Sequence, residues 1–169
     1  MVSPAGIEIS PGLDIEPLTD VALKSTDVQA GILIVERQFG YLEIHSRSTA
    51  AVQSAGAAVL DALGAAPRDA TRPQILASEL ISRIDHQHAF LINRNKTGSM
   101  ALPGESLFVL EMQPASYAIL ATNEAEKAAR IKVVDYRMIG ATGRVYLTGV
   151  EADVRAAADA AVAVLGGLA

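Results

Sequence analysis

The residues that could do chemistry in this chain are few. Gly140-Ala141-Thr142-Gly143 begins like a GATGxxG dinucleotide loop, but the third glycine position, 146, is Tyr. The segment after the loop reads as a strand, whereas a phosphate cradle needs a helix N-terminus there. His45, His86 and His88 are the three histidines, and Asp85 lies beside two of them. A His-x-His pair on a strand would place both imidazoles on one face. A zinc site needs further ligands, and no fourth is evident, so no metal is expected. There is no cysteine. That removes a thiol nucleophile, a Cys-ligated zinc site, an iron–sulfur cluster and a disulfide framework. No Ser/His/Asp order stands out as a triad, and Glu124 and Glu126 read as a solvated helix face. Lys24 and Lys127 stand apart because they recur after similar helical patterns.

Composition narrows the classes further. The 169 residues are 50% hydrophobic and 20% charged, too apolar for a disordered chain. They suffice for one ordinary domain or two small ones. Net charge is −5, from 14 Lys and Arg against 19 Asp and Glu, which argues against a nucleic-acid backbone as partner. No apolar run approaches the roughly 20 residues that span a bilayer, so no membrane partner is expected. The opening MVSPAGIEIS has no basic region followed by an apolar block, so no secretory signal is expected.

The elements that must position these residues come from an internal repeat. Shifted by 103 positions, Ala22 falls on Ala125, Lys24 on Lys127, Gly40 on Gly143, Leu42 on Val145 and Ile44 on Leu147. With one residue removed near Ser46, Val52 falls on Val154, Ala55 on Ala157, Leu63 on Leu165 and Gly64 on Gly166. So 22–64 and 125–166 are two copies of one unit. Pattern, glycines and order of elements all agree.

The unit reads strand, helix, strand, strand, helix. In the second copy, residues 107–111 form an apolar strand before Pro114. Ala118, Ala121, Ala125 and Ala128 stripe a helix over 115–129. Residues 131–138 and 144–148 form a strand pair turned at Gly140 and Gly143. From Glu151 a helix runs with Val154, Ala157, Ala161 and Leu165 on one stripe. Glu151 and Asp153 sit in its first turn, where the helix dipole favours acids. The first copy repeats this order. It has a strand at 7–9, a helix striped by Ile15, Leu18 and Ala22, and strands at 31–36 and 40–45. Its second helix is capped by Ser48, striped by Val52, Ala55, Val59 and Leu63, and stopped by Gly64. Residues 80–84 read as an extra strand between the copies, and 93–105 as a loop.

These residues resemble two bacterial microcompartment (BMC) shell domains in tandem. TDVALKSTDV (19–28) and TNEAEKAARI (122–131) are similar to that family's first helix and its edge lysine. YRMIGATGRVYLTGVEADVRAA (136–157) is similar to its pore loop, following strand and second helix. ELISRIDHQH (79–88) is similar to the strand ending a first shell domain, with Asp85-His86-Gln87-His88 where the family often has a Pro-Arg-Pro-His turn. The resemblance covers nearly the whole chain. The second copy departs from it by stopping at Ala169, so its closing strand is missing or supplied elsewhere.

The resemblance implies an α+β fold: two tandem ferredoxin-like α/β sandwich domains, the first over 1–92, a linker at 93–105 and the second over 106–169. It implies a structural shell protein and not an enzyme, with no cofactor, in the shell of a microcompartment in the bacterial cytoplasm. Three copies would complete a pseudohexagonal tile, since a heterologous interface that closes by rotation gives a ring. Its partners would be two further copies, other shell proteins laterally, and enclosed enzymes. Glu36, Arg37, Gln38, Phe39 and Gly40 would line the pore together with Ile139, Gly140, Ala141, Thr142 and Gly143. Lys24, Lys127, His86 and His88 would make edge contacts. Gly40 and Gly143 would end the two loops, where positive φ is common. Arg37, charged at any physiological pH, would attract anions, with Glu36 opposing it. The competing class is a small-molecule-binding regulatory protein or enzyme on a duplicated α+β sandwich.

Overall fold

The structure, a computed structural model, describes residues 2–169. The chain divides into two units, one ending at Thr71 and one running from Arg72 to Ala169. The first holds β1 (Ser3–Ile9), α1 (Ile15–Ser25), β2 (Gln29–Glu36), β3 (Phe39–Ser46) and α2 (Thr49–Leu63). The second holds β4 (Gln74–Ile81), α3 (His86–Asn95), β5 (Ser106–Gln113), α4 (Tyr117–Ala128), β6 (Lys132–Arg137), β7 (Gly143–Gly149) and α5 (Glu151–Gly166). Both sheets are antiparallel. Their orders are β1-β3-β2 in the first unit and β4-β5-β7-β6 in the second. Among the described residues no helix is long and apolar enough to cross a membrane.

The 103-residue shift holds in the strand register. In the first sheet Ile9 pairs with Gly40, Ile7 with Leu42 and Ala5 with Ile44. In the second, Met112 pairs with Gly143, Leu110 with Val145 and Phe108 with Leu147. The register slips at Ala30/Ile32 in β2 and at Val133/Asp135 in β6, the same place in each copy. Thr19 and Thr122 each return a hydroxyl hydrogen bond to the carbonyl four residues back, at 2.7 Å. Ser10-Pro11 and Gln113-Pro114 are both cis.

Each core arises from the alternation of its strands. Residues i and i+2 share a sheet face, so Leu42 and Ile44 meet Ile15, Leu18, Ala22, Val52, Ala55 and Val59. In the second unit Val145 and Leu147 meet Ala118, Ala121, Ala125, Val154, Ala157 and Ala161. The facing alanines let α4 and α5 approach closely, so their helical periodicity marks a packed face. The Ser48 hydroxyl accepts the Ala51 amide at 3.2 Å, and Gly64 ends α2 in the left-handed region at φ 66°. A cap of this kind contributes about 1 kcal/mol. Leu63 leaves the expected stripe and is exposed, unlike its counterpart Leu165.

The domain boundaries differ from those expected at 92, 93–105 and 106. β4 does not close the first unit; it pairs with β5, with Ile81 opposite Leu107, Ser78 opposite Leu110 and Ile75 opposite Met112. The reason is where its apolar residues find partners. Ile75 and Leu80 pack on the core of the second unit. The helix after β4 then crosses the other face of that sheet. There Ile84, Ala89, Ile92 and Ala101 join Leu107 and Val134 in a second core. The second copy's missing closing strand therefore comes from before it.

The expected linker is an ordered strap. The Gly98 and Ser99 amides donate to the Val134 and Val133 carbonyls, each at 2.9 Å, covering the free edge of β6. Asn93 clamps both backbone groups of Ala101 at 2.9 Å. The Lys132 ammonium reaches Glu105 at 2.7 Å and the Met100 carbonyl at 2.9 Å. Lys96 lies 3.7 Å from the Tyr146 ring centroid and 3.5 Å from Asp135.

Candidate functional site

Two β-hairpin ends carry the first group of expected residues, and they are built differently. Between β2 and β3 the turn has two residues, Arg37 and Gln38, with Glu36 opposite Phe39. A two-residue hairpin needs positive φ in its turn. Here Arg37 supplies it, at φ 55°, where glycine would be the unstrained choice. Glu36, Arg37 and Gln38 are exposed, Phe39 is half-buried and Gly40 is buried. Among the described residues no side-chain hydrogen bond or ion pair falls to Glu36, Arg37 or Gln38.

Between β6 and β7 the loop is longer, running over 138–142. Gly140 takes the positive φ, at 110°. Ile139 and Gly140 are half-buried and Ala141 is exposed. The Thr142 hydroxyl donates to Glu111 at 2.7 Å, and the Arg144 guanidinium donates to the same carboxylate oxygen at 3.0 Å. These hydrogen bonds, Thr142 first, hold the Glu111 carboxyl below the ordinary carboxylate range. Sequence reasoning misses this brace. Its signal is a pair of opposite charges placed directly across two strands, Glu111 opposite Arg144.

The expected reason for Gly40 and Gly143 is corrected. Neither has positive φ; that falls to Arg37 and Gly140. Each is instead a point of close backbone approach. A Cβ on Gly40 would collide with the Gly12 carbonyl, and a Cβ on Gly143 with the Ala115 carbonyl. The loop 140–143 leads into strand β7, so it offers no helix N-terminus to a nucleotide phosphate.

Lys24 and Lys127 occupy the last turns of α1 and α4, where the helix dipole favours cations. Both are exposed. Each reaches an acid on its own helix, Lys24 to Asp20 at 2.6 Å and Lys127 to Glu124 at 2.7 Å. His86 and His88 are not on a strand. They lie in the first turn of α3, where two positions apart means nearly opposite sides of the helix. Asp85 caps that helix, accepting the Gln87 amide at 2.8 Å. This bond, against a smaller desolvation effect, leaves its carboxyl below the usual range. His45 lies on β3 of the first unit, with its ring nitrogen 3.2 Å from Glu43. Among the described residues no group of three His, Asp or Glu could hold a metal ion.

The same architecture occurs in known proteins. Residues 106–169 match the BMC domain family, and residues 3–69 match the CsoS1D N-terminal domain. The chain is 49% identical over 159 residues to the carboxysome shell protein CcmP of Synechococcus elongatus, covering 94% of this chain and 75% of that one. A solved structure described as a fused permuted hexameric shell protein from the RMM microcompartment is 71% identical. It superposes with a TM-score of 0.95, covering 99% of this chain and 85% of that one. The double ringed trimeric shell protein of the same microcompartment is 47% identical, also with a TM-score of 0.95, covering 98% and 82%.

Proposed function

This chain belongs to the tandem-domain bacterial microcompartment shell proteins, and from that premise we propose how its own residues build a tile. It is a structural shell protein, not an enzyme, and its place is the microcompartment shell within the cytoplasm. Three copies form a pseudohexagonal tile with a central pore, and the tile associates with other shell proteins. Two copies of a sandwich in one chain need three chains to fill six positions. Closure by rotation does the rest.

In our reading, Glu36–Gly40 and Ile139–Gly143 alternate around the axis. The observation that carries this is the contrast between the two hairpin ends. One is small, neutral and braced by Glu111; the other presents an unpaired Glu36 and Arg37 on a two-residue turn. Three Arg37 guanidinium groups would draw anionic metabolites, with three Glu36 carboxylates opposing that field. Lys24 and Lys127 serve tile edges, each laying its apolar stem on a neighbour and turning its ammonium to backbone carbonyls. His86 and His88 serve as further edge contacts, and enclosed enzymes lie behind the sheet.

The test is the native mass, expected at three times 17.7 kDa, followed by electron microscopy for sheets. Anion passage through Arg37→Ala tiles then reads the pore. A monomer or dimer at micromolar concentration removes the tile. Unchanged anion passage removes Arg37 from the pore and leaves the tile standing.

A further inference from the structure

Two arginines face each other across β6 and β7, Arg137 opposite Arg144. Like charges directly opposite on a sheet destabilise it, so each needs an answering acid. Arg137 donates to Asp135, on its own strand, at 3.1 Å. Arg144 donates across to Glu111 on β5 at 3.0 Å. The same Glu111 oxygen accepts the Thr142 hydroxyl at 2.7 Å. One atom therefore ties the end of the 138–142 loop to the stem of its hairpin and cancels the charge of the side chain just beyond Gly143. Arg144 keeps 54% of its side chain exposed, so its charge acts on solvent as soon as the carboxylate is neutral.

The first copy arranges the same positions otherwise. The shift of 103 sets Glu8 at the place of Glu111, Tyr41 at that of Arg144 and Phe39 at that of Thr142. Glu8 is opposite Tyr41 as Glu111 is opposite Arg144. Neither aromatic is a cation, and the arginine of this hairpin stands in its two-residue turn, as Arg37. One copy thus carries a guanidinium at its hairpin tip. The other carries its guanidinium groups bound to acids on the stem.

We propose that Glu111 is a specificity-determining residue of the pore. By holding Thr142 and cancelling Arg144, it makes the second loop a fixed, neutral part of the rim and leaves discrimination between anions and neutral solutes to Glu36 and Arg37. This rests on the reading that 139–143 line the axis. Three uncancelled Arg144 side chains would otherwise add to the field of three Arg37.

The experiment compares passage of inorganic phosphate and of glycerol, an uncharged probe, across sheets of the tile spanning an aperture. Glutamine at 111 keeps an oxygen for both donors and removes only the charge. Glu111→Gln should raise the phosphate-to-glycerol ratio at least about threefold at 10 mM salt, and the rise should vanish at 1 M, where the Debye length falls from about 30 Å to about 3 Å. Arg144→Gln should lower the ratio, because it leaves the carboxylate uncancelled, and the double variant should restore the parent's value. Thr142→Val, which loosens the loop and keeps both charges, should shift the two probes together. A purely structural role for Glu111 would not give opposite signs for the two single variants, nor a dependence on salt. A ratio unchanged in both single variants overturns the proposal, as does a rise in Glu111→Gln that Arg144→Gln fails to reverse. If Arg37→Ala still changes the ratio in that case, the pore reading stands without Glu111. If it does not, both readings fall.

Discussion

Gly143 lies with its Cα against the carbonyl of Ala115, so close that a methyl group there would collide with the oxygen. Gly40 holds the same position against Gly12. The obstacles are backbone atoms, which cannot swing aside as a side chain can. Gly143→Ala and Gly40→Ala should each destabilise their unit by about 1–3 kcal/mol, the range for overpacking a filled site. Gly56, inside α2, is the control, because a Cβ there meets nothing. Gly56→Ala should stabilise by about 0.5–1 kcal/mol. Urea unfolding of the three variants checks the contrast, and equal midpoints would refute it.

Arg37 spends a left-handed backbone position on a side chain. An L-residue there costs roughly 1–2 kcal/mol against glycine. Arg37→Gly should therefore raise the unfolding midpoint while lowering anion passage through the tile. Arg37→Ala should lower passage without the gain in stability. If Arg37→Gly unfolds earlier than the parent, the side chain is holding the hairpin and not serving the pore.

Lys24 and Lys127 pair with acids on their own helices, exposed Asp20 and half-buried Glu124, surface contacts of the kind that contribute about 0–1 kcal/mol. Lys24→Ala and Lys127→Ala should leave the trimer and its melting temperature nearly unchanged. Lateral assembly should weaken, because a charge-assisted bond of about 1.5–3 kcal/mol is lost at each edge. Sheets imaged from both variants at the parent's yield would make these lysines ordinary surface charges.

The strap gives a pH dependence. Partial burial by itself raises the Glu105 carboxyl, but hydrogen bonds from Lys132, Thr148 and the Leu102 amide outweigh it and leave the group below its ordinary value of 4.5. A depressed carboxylate contributes stability that is present above 4.5 and is lost as pH falls through its lower folded value. Thermal unfolding of the parent should therefore weaken below that pH, and Glu105→Gln should show a shallower acid slope. Parallel slopes for the two proteins would mean that Glu105 is not the group responsible.

Local pattern carries most of the fold. The paired glycines, the Ser48 cap and the alanine stripes are legible because each acts within a few residues. The sheet to which β4 belongs is not, since Leu80 and Ile81 look the same beside either copy and only long-range packing separates them. α3 is hidden by a polar stretch around His86 and His88. Asp85 as a cap and Ala89 with Ile92 on one face are the signals that could have found it. Of the candidate residues, the sequence shows which lie at hairpin ends but not which are braced. The Thr142–Glu111 bond spans 31 residues and depends on strand register.

Placing β4 ahead of β5 also changes how the second unit can assemble as it is synthesised. The nearest paired residues, Ile81 and Leu107, are 26 positions apart. A fourth strand coming after α5 would have to return to β5 over more than twice that length. Each doubling of a closed loop adds only about 0.6 kcal/mol, so the gain in stability is small. The gain in order of events is larger, because domains fold from the N-terminus as the chain emerges. β4 and β5 leave the ribosome together and can pair before α4 exists. β6 and β7 then arrive to find one open side of β5 instead of two, which halves the ways either can pair with it.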